Sequence, residues 1–389
     1  MNTSLYIHIP FCKSKCAYCD FFSIPATKAE SYIPDSYVDA LCNEILFKAK
    51  KYSVEQWNTV YIGGGTPSLL TLSQIKKICS TIFSCVKNKK CLEFTVEVNP
   101  DDANFDLFSC LQDSGVNRIS CGIQSFNDEV LKCVNRRGTF LEIKNCLSLF
   151  EKFTSIDFSV DLISALPCET LESFISGLKK LADYKISHVS MYSLTIEENT
   201  PLGKKIDSGV LQYNYDFADE MWLKGKDFLE KMGFFQYEVS NFSKPKKQCV
   251  HNMVYWHLED YIGCGAGATG SFYEKNACRT TNLDNIDLYI KYWLANDNKN
   301  LQKPFTQEFL DSKTIEFEYL MMGLRTIEGV SPQTYENRFG KVLSKEKIEV
   351  LKKWQSQNKV LFSKKEGKTQ ISMTKEGLLL LNRLLLELV

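Results

Sequence analysis

The chain lacks several features that would assign it quickly to a protein class. Its 47 Lys and Arg balance its 47 Asp and Glu, so bulk charge favours no particular partner and we expect no nucleic-acid binding. No window holds the roughly 18 apolar residues that a membrane-spanning helix needs. The first residues show neither a basic region nor a long apolar run, so we expect no secretory leader. Histidine is scarce, with four among 389 residues. These absences predict a cytoplasmic protein, and the length predicts two or three domains.

Cysteine, in contrast, is abundant. The chain has 15 cysteines, an odd and scattered set, which predicts free thiols in a reducing compartment rather than a disulfide scaffold. Most of them lie in helix-like patterns and are interpreted as small core residues. Cys12, Cys16 and Cys19 differ, because they form a C-x3-C-x2-C loop directly after the apolar run Leu5–Ile9.

The three-cysteine loop is the strongest chemical signal in the sequence. Three thiolates on one tight loop can hold three corners of a cubane iron–sulfur cluster. The fourth iron would lack a protein ligand, and an open coordination position is where a metal site performs chemistry. The alternative is a zinc loop, but zinc would need a fourth ligand at close spacing, for which His8 is the only nearby candidate. We therefore interpret the loop as an iron–sulfur site.

Strand and helix signals alternate through the first half of the chain. Repeated βα units indicate an α/β fold with a parallel sheet and helical crossovers. Six units are too few for an eight-stranded barrel, so the preferred architecture is a partial, open (β/α)6 barrel, and a doubly wound sheet is the alternative. The predicted strands are Leu5–Ile9, Thr59–Ile62, Glu93–Val98, Arg118–Ile123, Phe158–Ile163 and His188–Leu194.

The alternation stops near residue 205, which predicts a first domain over residues 1–205. Residues 206–303 are expected to extend the barrel with mixed helices and strands. Residues 304–389 combine predicted helices with a hairpin and a final helix, an order that resembles a winged helix. The C-terminal α+β region therefore ends in a winged-helix-like module.

Polar residues follow the predicted strands at the same end of each strand. In a parallel barrel these positions meet at one mouth, where such folds place their active sites. A glycine loop lets a ligand approach the backbone closely, carboxylates accept hydrogen bonds from hydroxyl or ammonium groups, and arginine can pair with a carboxylate. Each residue alone could equally be an ordinary core or surface residue. The candidates are Gly64, Gly65, Thr66, Glu97, Gln124, Arg136 and Asp161.

A second candidate site lies in the segment 249–257. It holds two of the four histidines, including His251, beside Met253 and two aromatic residues. Neutral imidazole ligates iron, and a flat macrocycle suits aromatic walls. The residues alone favour a packed aromatic corner with an incidental histidine.

These motifs resemble those of a known family. The segment Tyr6–Cys19 is similar to the cluster loop of the radical S-adenosylmethionine (SAM) superfamily and, more narrowly, of the oxygen-independent coproporphyrinogen III oxidase family. The resemblance continues through the glycine loop and the later strand ends, so it spans most of the chain. It implies a 4Fe–4S cluster on Cys12, Cys16 and Cys19, with SAM chelating the open iron.

The same resemblance implies roles for the remaining candidates. The methionine end of SAM would meet one group of residues, and the nucleotide or a second ligand would meet another. The first group is Tyr6, Gly64, Gly65 and Thr66, and the second is Glu97, Gln124, Arg136 and Asp161.

Two features favour the heme-chaperone branch of that family. Phe21 stands where the oxidases carry a further cysteine, and His251-Asn252-x2-Tyr255-Trp256 resembles a motif of the chaperones. The resemblance implies heme bound at His251 and transfer of heme to an acceptor (respiratory) protein at the membrane. We expect the chain to be a monomer or dimer. The alternatives are radical decarboxylation of coproporphyrinogen III and a radical SAM enzyme with another substrate. Whether the chain is an enzyme therefore stays open.

Overall fold

The structure is a computed structural model that describes residues 1–26, 32–274, 277–365 and 367–388. Residue 389, the last of the predicted C-terminal domain, lies outside the described residues. At the centre are six parallel strands that neighbour one another in chain order. A doubly wound sheet would reverse this order at a switch point, so the partial (β/α)6 barrel is confirmed. The strands are β1 (Asn2–Ile9), β2 (Gln56–Gly64), β3 (Glu93–Val98), β4 (Arg118–Gln124), β5 (Asp157–Ser164) and β6 (His188–Ser193).

Helices connect the barrel strands and cover the outer face of the sheet. Several begin at a capping box, in which a threonine side chain and the residue three positions later satisfy each other's backbone N–H groups. Short 3-10 turns, Pro67–Leu69, Pro100–Asp102 and Leu181–Asp183, complete these connections. The helices are Asp35–Lys51, Leu72–Ser84, Phe105–Asp113, Asp128–Cys133, Phe140–Leu149 and Leu171–Lys180.

The middle of the chain extends the sheet at both edges. Asn241–Ser243 pairs antiparallel with β6 and then with Phe235–Gln236. Tyr261–Cys264 pairs parallel with β1, and three further antiparallel strands follow it outward. These are Thr269–Phe272, Cys278–Asn282 and Phe305–Phe309. The last of them belongs to the large sheet, although the sequence groups it with the C-terminal module. The helices of this region are Pro201–Asp207, Tyr215–Lys231, Val250–Trp256 and Ile286–Leu294.

The C-terminal residues form a second, smaller core. Leu351, Trp354 and Leu384 are buried there among residues separate from the barrel core. Three helices precede an antiparallel hairpin, in the predicted order; the likeness to a winged helix stays a prediction. The elements are helices Ser312–Gly323, Pro332–Phe339 and Lys345–Ser356, hairpin strands Val360–Lys365 and Lys368–Met373, and helices Lys375–Leu378 and Leu381–Leu388.

Two findings concern the whole described chain. Within it, no helix combines the length and hydrophobicity needed to cross a membrane. The expectation of free thiols is wrong for one pair, because Cys133 and Cys168 form a disulfide. The sequence did not reveal this pair, because the two positions are 35 residues apart in the chain and only the barrel topology brings them together. The other 13 cysteines are free.

Candidate cofactor site at the barrel mouth

The carboxyl ends of the barrel strands surround a cavity of about 560 Å³. This is the face at which barrels of parallel strands place their active sites. Most of the candidates drawn from the sequence line this one cavity. They are Cys12, Cys16, Cys19, Gly64, Gly65, Thr66, Glu97, Gln124, Arg136 and Asp161.

The cysteine loop forms one wall of the cavity. Cys12 lies on a two-residue strand, Phe11–Cys12, that pairs with Ile24–Pro25 and so closes the base of the loop. Cys16 is buried, and Cys19 is half-buried. Within the described residues, no group of three His, Cys, Asp or Glu is close enough together to hold a metal ion. The three thiols therefore line the same cavity, but they are not close enough together to form a metal-binding site in this structure.

The surroundings of the thiols fit a cluster bound by three thiolates. Thr66 Oγ1 donates to Cys12 Sγ at 3.4 Å, and Arg136 Nη1 donates to Cys16 Sγ at 3.7 Å. Donors and a positive charge beside sulfur favour the thiolate, which is the form that ligates iron. The buried Nε of Arg136 has no hydrogen-bond partner within the described structure. The site thus offers three thiols, with a cation beside one of them.

The glycine loop packs directly against the cysteine loop. Gly64 has φ +110°, and a Cβ there would lie 2.6 Å from the His8 ring. A Cβ on Gly65 would lie 2.7 Å from the carbonyl oxygen of Phe11. A side chain at Gly65 would push the glycine loop away from the start of the cysteine loop, and one at Gly64 would displace the His8 ring of β1, so both positions need glycine.

Two half-buried carboxyl groups face the cavity, Glu97 from β3 and Asp161 from β5, with β4 between them. Glu97 accepts hydrogen bonds from Tyr61 OH at 2.8 Å and from Gly64 N at 3.2 Å. Ser120 Oγ donates to both oxygens of Asp161, at 3.0 and 3.1 Å. Burial and then the charge of Asp161 raise the pKa of Glu97 to about 7, and burial raises the pKa of Asp161. A cationic ligand would favour the ionised form of both groups.

Gln124 and Arg136 lie together at the end of β4. Gln124 has φ +70°, a conformation that turns the chain sharply as the strand ends. Arg136 Nη2 donates to Asn99 Oδ1 at 2.7 Å and to the carbonyl oxygen of Gly122 at 2.5 Å. These bonds fix the guanidinium between the strand ends and Cys16.

Tyr6 is placed differently from the other SAM candidates. It is not among the described residues that line the cavity. Its OH lies 2.9 Å from His8 Nδ1, and its ring stacks on Tyr61 with a centroid distance of 6.3 Å. Burial, followed by the charge of Glu97, raises its pKa. In this structure Tyr6 supports residues of the cavity wall.

His251 lies one layer behind the cavity. It is 1% exposed, and its ring stacks on Tyr61, which does line the cavity, at a centroid distance of 5.1 Å. Thr59 Oγ1 lies 2.7 Å from Nδ1, and Tyr255 OH lies 2.7 Å from Nε2. Burial and then the charge of Arg118 lower the pKa of His251 to about 3, so the ring is neutral. Both ring nitrogens are engaged in this arrangement.

The carboxylate of Glu93 positions the segment that carries His251. It accepts hydrogen bonds from the backbone N–H groups of Val250 and His251, at 2.8 and 3.0 Å, and from Cys249 Sγ at 3.2 Å. These N–H groups begin the helix Val250–Trp256, and a carboxylate at a helix N-terminus is favoured by the helix dipole. A side chain of β3 thus caps a helix more than 150 residues later.

Several cavity residues were missed from the sequence. Tyr61, Arg118, Ser190 and Asn252 all line the cavity. Three of them, Tyr61, Arg118 and Ser190, belong to barrel strands. Residues of a strand are interpreted from the sequence as part of the core, so these three were not chosen as candidates. Asn252 had a usable signal, because it directly follows His251 in a motif that was already singled out.

Comparison with known proteins agrees with this architecture. The radical SAM superfamily model matches residues 6–197. The heme chaperone HemW of Lactococcus lactis is 35% identical over 337 residues, covering 86% of this chain and 85% of that protein. HemW of Buchnera aphidicola subsp. Schizaphis graminum is 34% identical over 388 residues, covering 98% and 97%.

Among solved structures, coproporphyrinogen III oxidase (HemN) of Escherichia coli, a radical SAM enzyme, superposes with a TM-score of 0.82. The match covers 99% of this chain and 89% of that one, at 22% identity. At this identity the likeness concerns the fold.

Proposed function

Because the chain belongs to the HemW family of heme chaperones, we propose that it binds heme and transfers it to an acceptor protein. The observation that carries this proposal is identity above 30% to proteins named as heme chaperones over nearly the whole chain. The cavity at the barrel mouth supports it, because the thiols, the glycine loop and the carboxyl groups meet there. We expect the acceptor to be a respiratory protein at the membrane, and the chaperone to act from the cytoplasm as a monomer or dimer.

We propose that Cys12, Cys16 and Cys19 hold a 4Fe–4S cluster and that SAM binds beside it. When bound, the cluster would supply an iron with an open coordination position, to which amino and carboxylate groups can bind. The backbone of Gly64 and Gly65 would lie against the methionine end of SAM, with Thr66 beside Cys12. Tyr6 would act from behind Tyr61.

The remaining polar residues would bind the rest of the ligand. Ionised Glu97 and Asp161 can accept hydrogen bonds from ribose hydroxyls or an ammonium group, and Gln124 can both donate and accept. Arg136 would hold the loop end beside Cys16, and its buried Nε has no hydrogen-bond partner among the described residues.

For heme we propose His251 as the iron ligand. Its Nε2 is occupied by Tyr255 OH at 2.7 Å, so heme binding at this nitrogen has to displace the tyrosine. The neutral ring suits iron ligation, since the ligating form of imidazole is unprotonated. Tyr255 would therefore compete with heme for the same lone pair.

The test is heme titration, followed at the Soret band, of the wild type and three variants. We expect His251→Ala to weaken binding and Tyr255→Phe, which frees Nε2, to bind at least as tightly as the wild type. His188→Ala is the matched control, because His188 is also 1% exposed with both ring nitrogens bonded, to Ser159 and Tyr237. Equal affinity of the His251 and His188 variants would remove His251 from the proposal, and a wild type that binds no heme would remove the function.

An enzyme activity is tested on the same sample. Anaerobic incubation with SAM, a reductant and coproporphyrinogen III should leave the porphyrinogen unchanged, because Phe21 replaces the further cysteine of the oxidases. Formation of protoporphyrinogen would favour the oxidase instead. Release of deoxyadenosine without porphyrin turnover would indicate a radical enzyme with another substrate.

A further inference from the structure

The disulfide between Cys133 and Cys168 has no role in the proposed function. Both residues are exposed, and their Cα atoms are 6.7 Å apart. Each of the other 13 cysteines is buried or half-buried. In a chain rich in thiols, this pair alone is placed fully within reach of dissolved thiols and disulfides. Exposed disulfides are typically the labile, regulatory ones.

The backbone at Cys168 is a second, independent observation. Its φ is +71°, in the left-handed region that glycine adopts freely and other residues rarely do. Residues held in such conformations cluster at sites with a functional role. The chain thus adopts an unfavourable backbone conformation at a residue that carries one of the two bridged sulfur atoms.

The bridge joins two segments that both lie against the cysteine loop. Cys133 ends the helix Asp128–Cys133, and the three residues after it all contact that loop. The carbonyl of Val134 accepts from Ala17 N at 2.8 Å, Asn135 Nδ2 donates to the carbonyl of Lys15 at 2.9 Å, and Arg136 donates to Cys16 Sγ. We name residues 134–136 the clamp segment.

The other end of the bridge lies on the loop that follows β5. Leu166, two residues before Cys168, is buried in a small cluster with Val134, against which Ala17 and Tyr18 of the cysteine loop pack. The disulfide therefore ties the clamp segment to the wall that buries it. Opening the bond would leave the clamp segment held by its hydrogen bonds and apolar contacts alone.

We propose that Cys133 and Cys168 are a reversible thiol–disulfide site whose oxidised form fastens the clamp segment onto the cysteine loop. The oxidant is a low-molecular-weight disulfide. One thiolate attacks it and releases one small thiol, and the second thiolate then displaces the other small thiol. The net reaction converts two protein thiols and one small disulfide into one protein disulfide and two small thiols. The effect on the cysteine loop rests on the proposed cluster, but the exchange itself does not.

The exchange is tested first, on the full chain with Cys12, Cys16 and Cys19 all replaced by alanine, so that no cluster is involved. The reduced protein is equilibrated with glutathione at rising ratios of disulfide to thiol, alkylated, and analysed by peptide mass spectrometry. We expect a linked Cys133–Cys168 peptide that disappears on reduction. The buried pair Cys121 and Cys146, whose sulfur atoms lie 3.5 Å apart, is the internal control and should stay unlinked in the folded protein. Independent alkylation of Cys133 and Cys168 at every ratio would overturn the proposal.

The consequence is tested on cluster-loaded protein by the rate of iron loss to a chelator. We expect the oxidised wild type to lose iron several-fold more slowly than the reduced wild type. Cys133→Ser and Cys168→Gly should each lose iron at the reduced rate under both conditions; glycine suits the positive φ and so preserves the loop. A difference between conditions that persists in both variants would refute the fastening role. A wild type that never loads a cluster would count against the proposed function and leave the exchange result standing.

Discussion

At the scale of single residues, Glu97 is the group whose charge state the cavity controls most directly. Its pKa is about 7 in the folded chain, above the ordinary value of 4.5, because it is buried and close to Asp161. Between these two pH values the folded state binds more protons than the unfolded state, so the free energy of unfolding falls as the pH rises. The ionised carboxylate of Glu97 therefore destabilises the ligand-free folded protein, and it would stabilise a bound cationic ligand.

We expect Glu97→Gln to reduce that pH dependence. Above pH 7 the variant should gain about 1–2 kcal/mol in the free energy of unfolding, a discounted value because one edge of Glu97 faces the cavity. Urea denaturation of reduced, ligand-free protein at pH 5 to about 8 would measure it, with exposed Glu220→Gln as control. An unchanged slope in Glu97→Gln would show that other groups carry the dependence.

The site residues illustrate how far sequence reasoning reaches at this scale. The polar groups at the strand ends, such as Glu97 and Asp161, were predictable, because topology alone sends them to one mouth. The sequence identified Tyr6 and His251 as candidate site residues, but it did not predict where their side chains lie relative to the cavity. Both side chains pack against the ring of Tyr61 and so lie one layer behind the cavity. No local sequence pattern predicts on which side of that ring they pack.

At the scale of elements, the helix Val250–Trp256 depends on a cap that comes from another element. Glu93 on β3 is 5% exposed and accepts from two backbone N–H groups at the start of the helix. The guanidinium of Arg118 is also buried nearby and interacts with the charge of Glu93. Removing the carboxylate leaves donors and a cation without their partner.

We expect Glu93→Ala to lower the free energy of unfolding by about 3 kcal/mol, as the loss of one partner in a buried charged network does. Glu93→Gln keeps one acceptor oxygen and should lose less. Urea denaturation measures the stability, and the Soret spectrum of the heme-loaded protein reports whether the His251 segment has moved. If the alanine and glutamine variants are destabilised equally, the acceptor oxygen that glutamine keeps contributes nothing and the expected ranking of the two variants is wrong.

The fold itself was largely readable at the element scale. Apolar runs predict all six barrel strands, and helical periodicity predicts their main crossover helices. The predicted ends differ from the observed ones by a few residues. For β2, Thr59–Ile62 was predicted and Gln56–Gly64 is observed. The helix Val250–Trp256 was not predicted. It is short, and the group that caps it comes from β3, so a window of local sequence contains no sign of its start.

At the scale of the whole molecule, polar contacts join the barrel extension to the C-terminal core. His257 Nε2 lies 3.1 Å from Glu328 Oε2, and Lys375 Nζ donates to Glu230 at 2.6 and 2.8 Å. Arg338 also donates to the carbonyl oxygen of Leu258 at 2.9 Å. Only the first contact contains a group that titrates near neutral pH, so the two units should be coupled in a pH-dependent way.

The hydrogen bond that His257 donates to the Glu328 carboxylate raises the pKa of His257, and His257 in turn lowers the pKa of Glu328. For a base with a raised folded pKa, the stabilisation is complete below the unfolded value of about 6.5 and disappears as the pH rises through the folded pKa. For an acid with a lowered folded pKa, it is complete above about 4.5 and disappears on acidification through the folded pKa. The contact is therefore strongest between about pH 4.5 and 6.5.

We expect His257→Gln to destabilise the chain at about pH 5.5 and to match the wild type at about pH 8.5. The measurement is the difference in the urea midpoint between variant and wild type at each pH, read from the fluorescence of the tryptophans, which include buried Trp354 of the C-terminal core. Lys375→Met provides the contrast, because its ion pair with Glu230 contains no histidine and its effect should stay constant. An equal effect of His257→Gln at both pH values would mean that His257 acts by packing, and the pH-dependent coupling of the two units would have to be abandoned.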